Sequence, residues 1–406
     1  MQQPSNIPCS EGKTPLKSDA LHNSGLQHLG KYLKDNLNKL RGLDQYRALA
    51  TPPPNVVDLS HNDYLGLASD RSFQNACRHR TETLSVGSSS SRLISGESIQ
   101  VQQLEATFSN FKGAECSLYF NSGYAANEAI VPALSSPVCN VFSDELNHAS
   151  IIDGIRLCRI EKGQRHIYPH ADYDVLETML RDSKADYNLI LTESLYSMDG
   201  DIVDLARLVD LAERYRGVLV IDEAHSLGLY GKSGSGLISE YKIPHELVIS
   251  VNPCGKAMAT GGAVICGPIW VREYLINTAR PLIFTTAASP WLVASLSVAV
   301  DFISTMDRER SWLRQVSERV HKELIEWGFK TSSNASHIIP VIVGSNRKAV
   351  LLSQKLLDMG IYAKAIRPPT VPENKSRVRL SLSANLTASN VDQICSSFRS
   401  LKGEFA

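Results

Sequence analysis

From residue 117 onward, short apolar runs alternate with helical patterns along the chain, and this alternation sets the expected architecture. Residues 117–120, 140–142, 188–192, 218–222, 247–251 and 263–266 read as strands. Between them, Ser122-Gly-Tyr-Ala-Ala126 opens one helix, a second begins at Ala149, and a third covers 205–215. Such alternation predicts an α/β fold with a mostly parallel sheet covered on both faces by helices. Upstream, residues 1–24 are polar and are expected to be disordered. Leu29, Leu33, Leu37 and Leu40 carry helical spacing over 26–49, an arm expected to pack on the body and to stop at Pro52-Pro53-Pro54. A short strand at 56–59, a serine-rich loop at 87–96 and a helix placing Leu104, Phe108 and Phe111 on one face follow. After Pro290 a helical stretch runs to about Trp327 with a break near Asp307, then a strand at 339–343, a helix at 348–359, strands at 362–366 and 377–383, and a helix at 388–401. The expected division is therefore a 1–24 extension, a 25–60 arm, a 61–290 large domain, and a 291–406 linking helix with a smaller C-terminal α+β domain.

Composition narrows this picture by exclusion. The 406 residues carry 42 Lys+Arg against 42 Asp+Glu, so charge gives no reason to expect a nucleic-acid or anionic-membrane partner. The 8 cysteines form no CxxC pair and no zinc spacing with histidine, as expected for reduced thiols in a cytoplasmic setting. No run is apolar for the roughly 18 residues a membrane span needs. The N-terminal stretch has no apolar core of a secretory signal, and Gly-Glu-Phe-Ala406 is no peroxisomal address.

The chemistry gathers just past the strands, where ligands of parallel sheets sit. Lys256 lies in a turn between two apolar runs, after Pro253 and before Gly261 and Gly262. Apolar surroundings depress an amine pKa and make it nucleophilic toward carbonyls. Asp222 ends the 218–222 run and His225 follows it. His148 closes Phe142-Ser-Asp-Glu-Leu-Asn-His148, and Glu193 and Ser197 follow the 188–192 run. Each alone reads as a cap or a structural polar group. Together they match the needs of pyridoxal phosphate: a lysine for its aldehyde, an acid for its ring nitrogen, a flat side chain over the ring, and donors at a helix start for its phosphate. Ser122-Gly123-Tyr124 stands at such a strand-to-helix turn. Gly231-Lys-Ser233 resembles a P-loop only superficially, because Ser226 occupies the position of its first glycine.

With these residues assembled, the chain resembles the α-oxoamine synthases, pyridoxal phosphate enzymes of fold type I. The motifs carrying the resemblance are His61-Asn-Asp-Tyr-Leu-Gly-Leu67, Asn121-Ser-Gly-Tyr-Ala-Ala-Asn127, Asp144-Glu-Leu-Asn-His-Ala-Ser150, Ser197-Met-Asp-Gly-Asp201, Asp222-Glu-Ala-His225 and Gly255-Lys-Ala257. The segment 365–372 and Arg377-Val-Arg-Leu-Ser-Leu-Ser383 are most similar to the biotin-pathway branch. The resemblance implies that Lys256 bonds the cofactor and moves protons, Asp222 pairs with the ring nitrogen, His148 stacks on the ring, and Ser197 and His225 bond near its phenolic oxygen. It further implies that Asn62 and Arg379 hold the amino-acid carboxylate, that Thr285 and Thr286 reach the phosphate of a partner subunit in a homodimer, and that Arg47 contacts the acyl chain. Three departures stand out: Pro253 where a hydroxyl residue is usual, Ser88-Ser-Ser-Ser91 in place of glycines, and Asn385-Leu386-Thr387 near the end.

The implied activity is an acyltransferase reaction, a decarboxylative condensation of L-alanine with a pimeloyl thioester on CoA or a carrier protein, giving 8-amino-7-oxononanoate, CO2 and the free thiol. The competing readings are a related synthase using glycine or serine, or a carrier-bound acyl or polyketide chain, and a catalytically silent partner subunit. The presence of Lys256 speaks against the last.

Overall fold

Alternation of side chains along the central strands explains how one sheet supports helices on both sides. The computed structural model describes residues 25–334 and 336–406, so the disorder expected for 1–24 lies outside the described residues. The chain divides into two compact units, Met1–Thr51 and Pro52–Ala406. In the first, a helix spans Gly25–Gly42 and none of its residues is buried. It is shorter than expected. The stop is local: the Gln45 and Tyr46 N–H groups turn back to the Leu40 carbonyl (2.8 and 3.1 Å), and Asp44 takes a left-handed φ of 53°. The helix thus ends well before the prolines.

In the second unit the strands are β1 (Val57–Asp58), β2 (Cys116–Phe120), β3 (Cys139–Asp144), β4 (Arg165–Tyr168), β5 (Tyr187–Glu193), β6 (Gly217–Asp222), β7 (Val248–Pro253), β8 (Ala263–Gly267), β9 (Ile338–Gly344), β10 (Ile361–Tyr362), β11 (Ala365–Ile366) and β12 (Ser376–Ser381). Seven form one sheet in the order β2-β8-β7-β6-β5-β3-β4. Pairing is parallel from β4 through β7, and β8 runs antiparallel to both β7 and β2. Leu118, Phe120, Leu189, Leu191, Val251 and Ile265 enter one core with Ile130, Ile151 and Leu275 of the helices Gly123–Leu134, Ala149–Leu157 and Ile269–Thr278. Their neighbours Tyr119, Ile190 and Val264 enter the other core, against Leu104, Leu208 and Val293 of Ile99–Lys112, Leu205–Arg214 and Pro290–Ile303. This period of two, buried on both faces, is why the strands read as continuous apolar runs.

The expected break near Asp307 has a physical anchor. Arg310 donates from Nη1 to the Ile303 carbonyl (2.6 Å), satisfying the end of one helix, and from Nη2 to Asp307 (2.6 Å) at the start of Asp307–Glu326. Beyond it, β11-β12-β9 form an antiparallel sheet and β1 pairs with β10 in parallel. The single strand expected at 362–366 is thus two short ones with different partners. Further elements, among them edge strand β4 and the helices Arg71–Thr81, Tyr173–Asp182 and Ile269–Thr278, have no counterpart among the elements expected from sequence. Only Tyr168 of β4 is buried, so its Arg-His-Ile-Tyr pattern carries no core signal.

Candidate active site

Parallel register brings the carboxyl ends of β3, β5, β6 and β7 to one edge of the sheet. Glu193 is the register partner of Asp222, and Asp222 that of Val251. Over this edge lies an open cavity of about 450 Å³ whose wall includes Lys256, Asp222, His225, His148 and Glu193. Asn62, Ser122, Gly123 and Tyr124 line the same cavity. Nine of the residues singled out from sequence are therefore brought together.

Asp222 is buried and fully engaged as an acceptor: Oδ1 takes the Ala224 N–H and Oδ2 takes Asn127 Nδ2, both at 2.8 Å. Asn127 also donates to Ser150 Oγ at 3.0 Å. Lys256 sits in the turn joining β7 to β8. Burial lowers its ammonium pKa below lysine's usual range, against the opposing charges of Asp222 and Glu193. Glu193 accepts the His148 N–H at 2.7 Å; burial raises its carboxyl pKa well above the usual range, and the Asp222 charge adds to the rise. His148 is open to solvent at the cavity yet ringed by protein that lowers its pKa, with Lys256 acting in the same sense and Asp222 against it. Its Nδ1 bonds Ser150 Oγ at 2.7 Å, which fixes the ring.

Behind the cavity, His225 is buried and held neutral, since burial lowers its pKa far below the usual value. Its Nδ1 shares a 2.6 Å hydrogen bond with the Tyr64 hydroxyl. Arg379, on β12, donates from Nη2 to Asn62 Oδ1 (2.9 Å) and to the Tyr64 oxygen (3.3 Å), while its buried Nε has no partner. Tyr64, Asn127 and Ser150 are functional neighbours that lie within the sequence motifs, yet sequence alone assigns them no role. A tyrosine inside a polar stretch directly after a strand is the available signal.

The remaining expected residues lie elsewhere. Ser197 is half-buried and outside the cavity wall, in a loop pinned where Arg377 Nη1 donates to the Met198 carbonyl at 3.0 Å and to Asp199 at 2.5 Å. The Thr286 carbonyl accepts Asn121 Nδ2 at 2.8 Å, which sets the Thr285–Thr286 segment beside a lining residue. Arg47 belongs to the Met1–Thr51 unit and is exposed. Of the departures, Asn385 packs on Gly66, Leu386 accepts from Trp312 at 2.8 Å, and Thr387 caps the helix Ala388–Phe405. The serine loop is tied to 287–288, with the Ala287 N–H donating to Ser90 at 2.9 Å.

Pro253 packs directly on the helix start. A Cβ on Gly123 would lie 2.8 Å from Pro253 Cγ and 2.9 Å from its Cβ. Gly123→Ala is expected to push the Gly123–Leu134 helix start off the sheet, lowering unfolding free energy by about 1–3 kcal/mol, the usual range for overpacking. Urea unfolding checks this; an unchanged midpoint would show that the turn yields freely.

His337 offers a test on pH. It packs edge-on against Tyr64 (4.2 Å, 69°), and burial, aided by the Arg379 charge, pushes its pKa down to about 3. Between about pH 6.5 and 3 the unfolded chain therefore binds this proton and the native state does not. Stability falls as pH drops through that window, by up to ~1.4 kcal/mol per pH unit from this one group. His225 acts with the same sign, and Glu193, with its raised pKa, against it. His337→Gln should flatten the slope of unfolding free energy against pH by about one proton between pH 6 and 4. A slope equal to that of the parent protein would contradict the neutral, buried assignment.

Residues 54–398 match the aminotransferase class I and II family. An 8-amino-7-oxononanoate synthase from Chlorobaculum parvum is 42% identical over 359 residues, spanning 86% of this chain and 90% of its own. A solved 8-amino-7-oxononanoate synthase from Francisella tularensis superposes with a TM-score of 0.75 at 28% identity, covering 87% of this chain and 100% of its own. A serine palmitoyltransferase variant from S. paucimobilis, solved with a bound PLP–myriocin aldimine, gives a TM-score of 0.85 at 25% identity, over 93% of this chain and 98% of its own.

Proposed function

The chain belongs to the aminotransferase class I and II family, in its α-oxoamine synthase branch, and we propose that it binds pyridoxal 5′-phosphate and condenses L-alanine with a pimeloyl thioester, CoA- or carrier-bound. The products are 8-amino-7-oxononanoate, CO2 and the free thiol, a step of biotin synthesis. The observation that carries the reading is that Lys256 and Asp222 line one cavity whose rim residue Asn62 holds Arg379.

The residues present fit the cofactor. Lys256 has the depressed pKa that bonding an aldehyde needs, and Asp222 is a preorganised carboxylate beside it. The first turn of Gly123–Leu134 leaves backbone N–H groups without helical partners, and Ser122 stands at its cap, so a phosphate has donors there although Pro253 supplies none. The orphaned Arg379 Nε is a donor awaiting an acceptor such as a carboxylate.

When bound, pyridoxal phosphate supplies an electron sink for the carbanion formed at the amino-acid α-carbon. Arg379 and Asn62 hold the amino-acid carboxylate, which orients the Cα–H bond. Lys256 Nζ, with its lowered pKa, takes that proton and later returns one. His148, fixed through Ser150, would hydrogen-bond the thioester carbonyl, and His225 would donate to the cofactor's phenolic oxygen. Ser197 would bond near the phenolic oxygen, Thr285 and Thr286 would reach the phosphate from the partner subunit of a homodimer, and residues 291–406 would form the smaller domain.

Incubation of the purified protein with pyridoxal phosphate tests this through visible absorption. A yellow band perturbed by L-alanine, together with 8-amino-7-oxononanoate formed from pimeloyl-CoA or the carrier form, is the expected result. Perturbation by glycine or serine with no response to L-alanine would replace the substrate assignment, and a colourless protein would leave a silent subunit.

A further inference from the structure

We infer that Lys112, which lies outside the cavity wall, is a positioning residue for the reaction: with Glu223, Ser226 and Ser194 it fixes where β5, β6 and β7 end. This inference rests on the functional reading above. Lys112 is the last residue of the helix Ile99–Lys112, and its side chain is fully buried against that of Glu223, also fully buried. The ammonium ion-pairs Glu223 and donates to the Ser235 carbonyl. Glu223 Oε1 further accepts the Ile238 N–H (3.0 Å) and Ser226 Oγ (3.0 Å), and Ser226 Oγ bonds Ser194 Oγ at 2.9 Å. The loop is cast around this carboxylate: Gly236, at φ 108°, would place a Cβ 2.5 Å from Glu223 Oε1.

The register of the network against the site is what gives it a role. Three of its four members follow directly on a cavity residue: Ser194 on Glu193, Glu223 on Asp222, Ser226 on His225. Three cavity groups, at the ends of β5 and β6 and in the turn that follows β6, thus each have their immediate sequence neighbour locked in one buried network. Backbone bonds complete the lock, from Ser194 N to the Asp222 carbonyl (2.9 Å) and from Glu223 N to the Val251 carbonyl (2.8 Å). Three strand ends are thereby held in one geometry. A buried ion pair is a poor source of stability, because desolvation offsets attraction and an apolar replacement is often as stable. What it supplies here is position, and small displacements at a reacting centre cost on the order of a hundredfold in rate.

The test is the double variant Lys112→Met with Glu223→Gln, which removes both charges together. In the protein without cofactor, exchange of the Ala224 and Ser226 amide protons, bonded to Asp222 Oδ1 and the Glu223 carbonyl, should quicken about tenfold or more while exchange in β5 and β6 stays slow. With pyridoxal phosphate and both substrates, kcat should fall about tenfold to a hundredfold with KM for the amino acid within about twofold. Unchanged exchange at 224 and 226, or unchanged kcat, overturns the inference. If the double variant does not fold, Ser226→Ala, which leaves no buried charge, is measured in the same way: quickened exchange with lowered kcat supports the inference, and no change in either overturns it. Failure of the functional reading shows separately, as a parent protein without a visible band, and the exchange measurement then decides the positioning alone.

Discussion

Lys256→Ala is expected to fold, to lose the visible band formed with pyridoxal phosphate, and to lose turnover by at least about 10²–10⁴-fold, the usual worth of a positioned acid–base group, with loss of the covalent attachment added to it. Intact folding is expected from the sign of the pKa shift. Burial lowers the lysine pKa, so the folded state disfavours the ammonium form relative to the unfolded chain. Below the unfolded pKa that difference opposes folding, and truncation removes it. A melting temperature equal to or above that of the parent, alongside lost turnover, is the paired result to look for. A small primary amine added to the variant should restore part of the proton transfer, because the space left by the side chain opens into the cavity. Turnover within about tenfold of the parent would remove Lys256 from the chemistry altogether.

Much of this site was legible in the sequence because it follows strand ends, and buried parallel strands announce themselves as apolar runs. Asp222, Glu193 and Lys256 could be placed at one sheet edge from β5, β6 and β7 alone. What stayed illegible depends on contacts between distant segments. Tyr64 reaches His225 across 161 residues of sequence. Lys112 is another such case: a lysine ending an amphipathic helix reads as a solvated tip, and only the fold places it in the core against Glu223. Edge elements failed for the opposite reason. Strand β4 and the helix Arg71–Thr81 bury little, with Phe73 the buried residue of that helix, and a face that packs weakly leaves a weak pattern. The leucine stripe of 26–49 shows the converse. Its spacing predicted a helix, which is present over Gly25–Gly42, and periodicity reports a face while saying nothing of what covers it.

Asp222→Asn should separate charge from shape more cleanly than any truncation at this site. Both carboxylate oxygens accept a hydrogen bond, one from a backbone N–H that cannot reorient and one from Asn127 Nδ2. The new amide would keep its oxygen toward the Ala224 N–H and turn its NH2 toward Asn127. Asn127 can answer by flipping, so that its oxygen accepts from the new amide and from the rotatable Ser150 hydroxyl. The fold is then preserved while one negative charge is gone. Asp222→Ala, by contrast, leaves two buried donors unpaired and should cost about 1–3 kcal/mol in stability for each. Loss of a preorganised charge at a reacting centre is worth roughly 10²–10³-fold, so kcat for the asparagine variant should fall by that much at nearly unchanged stability. The neighbours report the same event. Asp222 raises the pKa of Lys256, His148 and Glu193, so all three should titrate at lower pH without it. For Lys256 this is readable in the cofactor-free protein as amine acylation that reaches its plateau at lower pH than in the parent. A variant that kept kcat within a few-fold, with the lysine titrating where it does in the parent, would mean that Asp222 serves only as the cap its hydrogen bonds suggest.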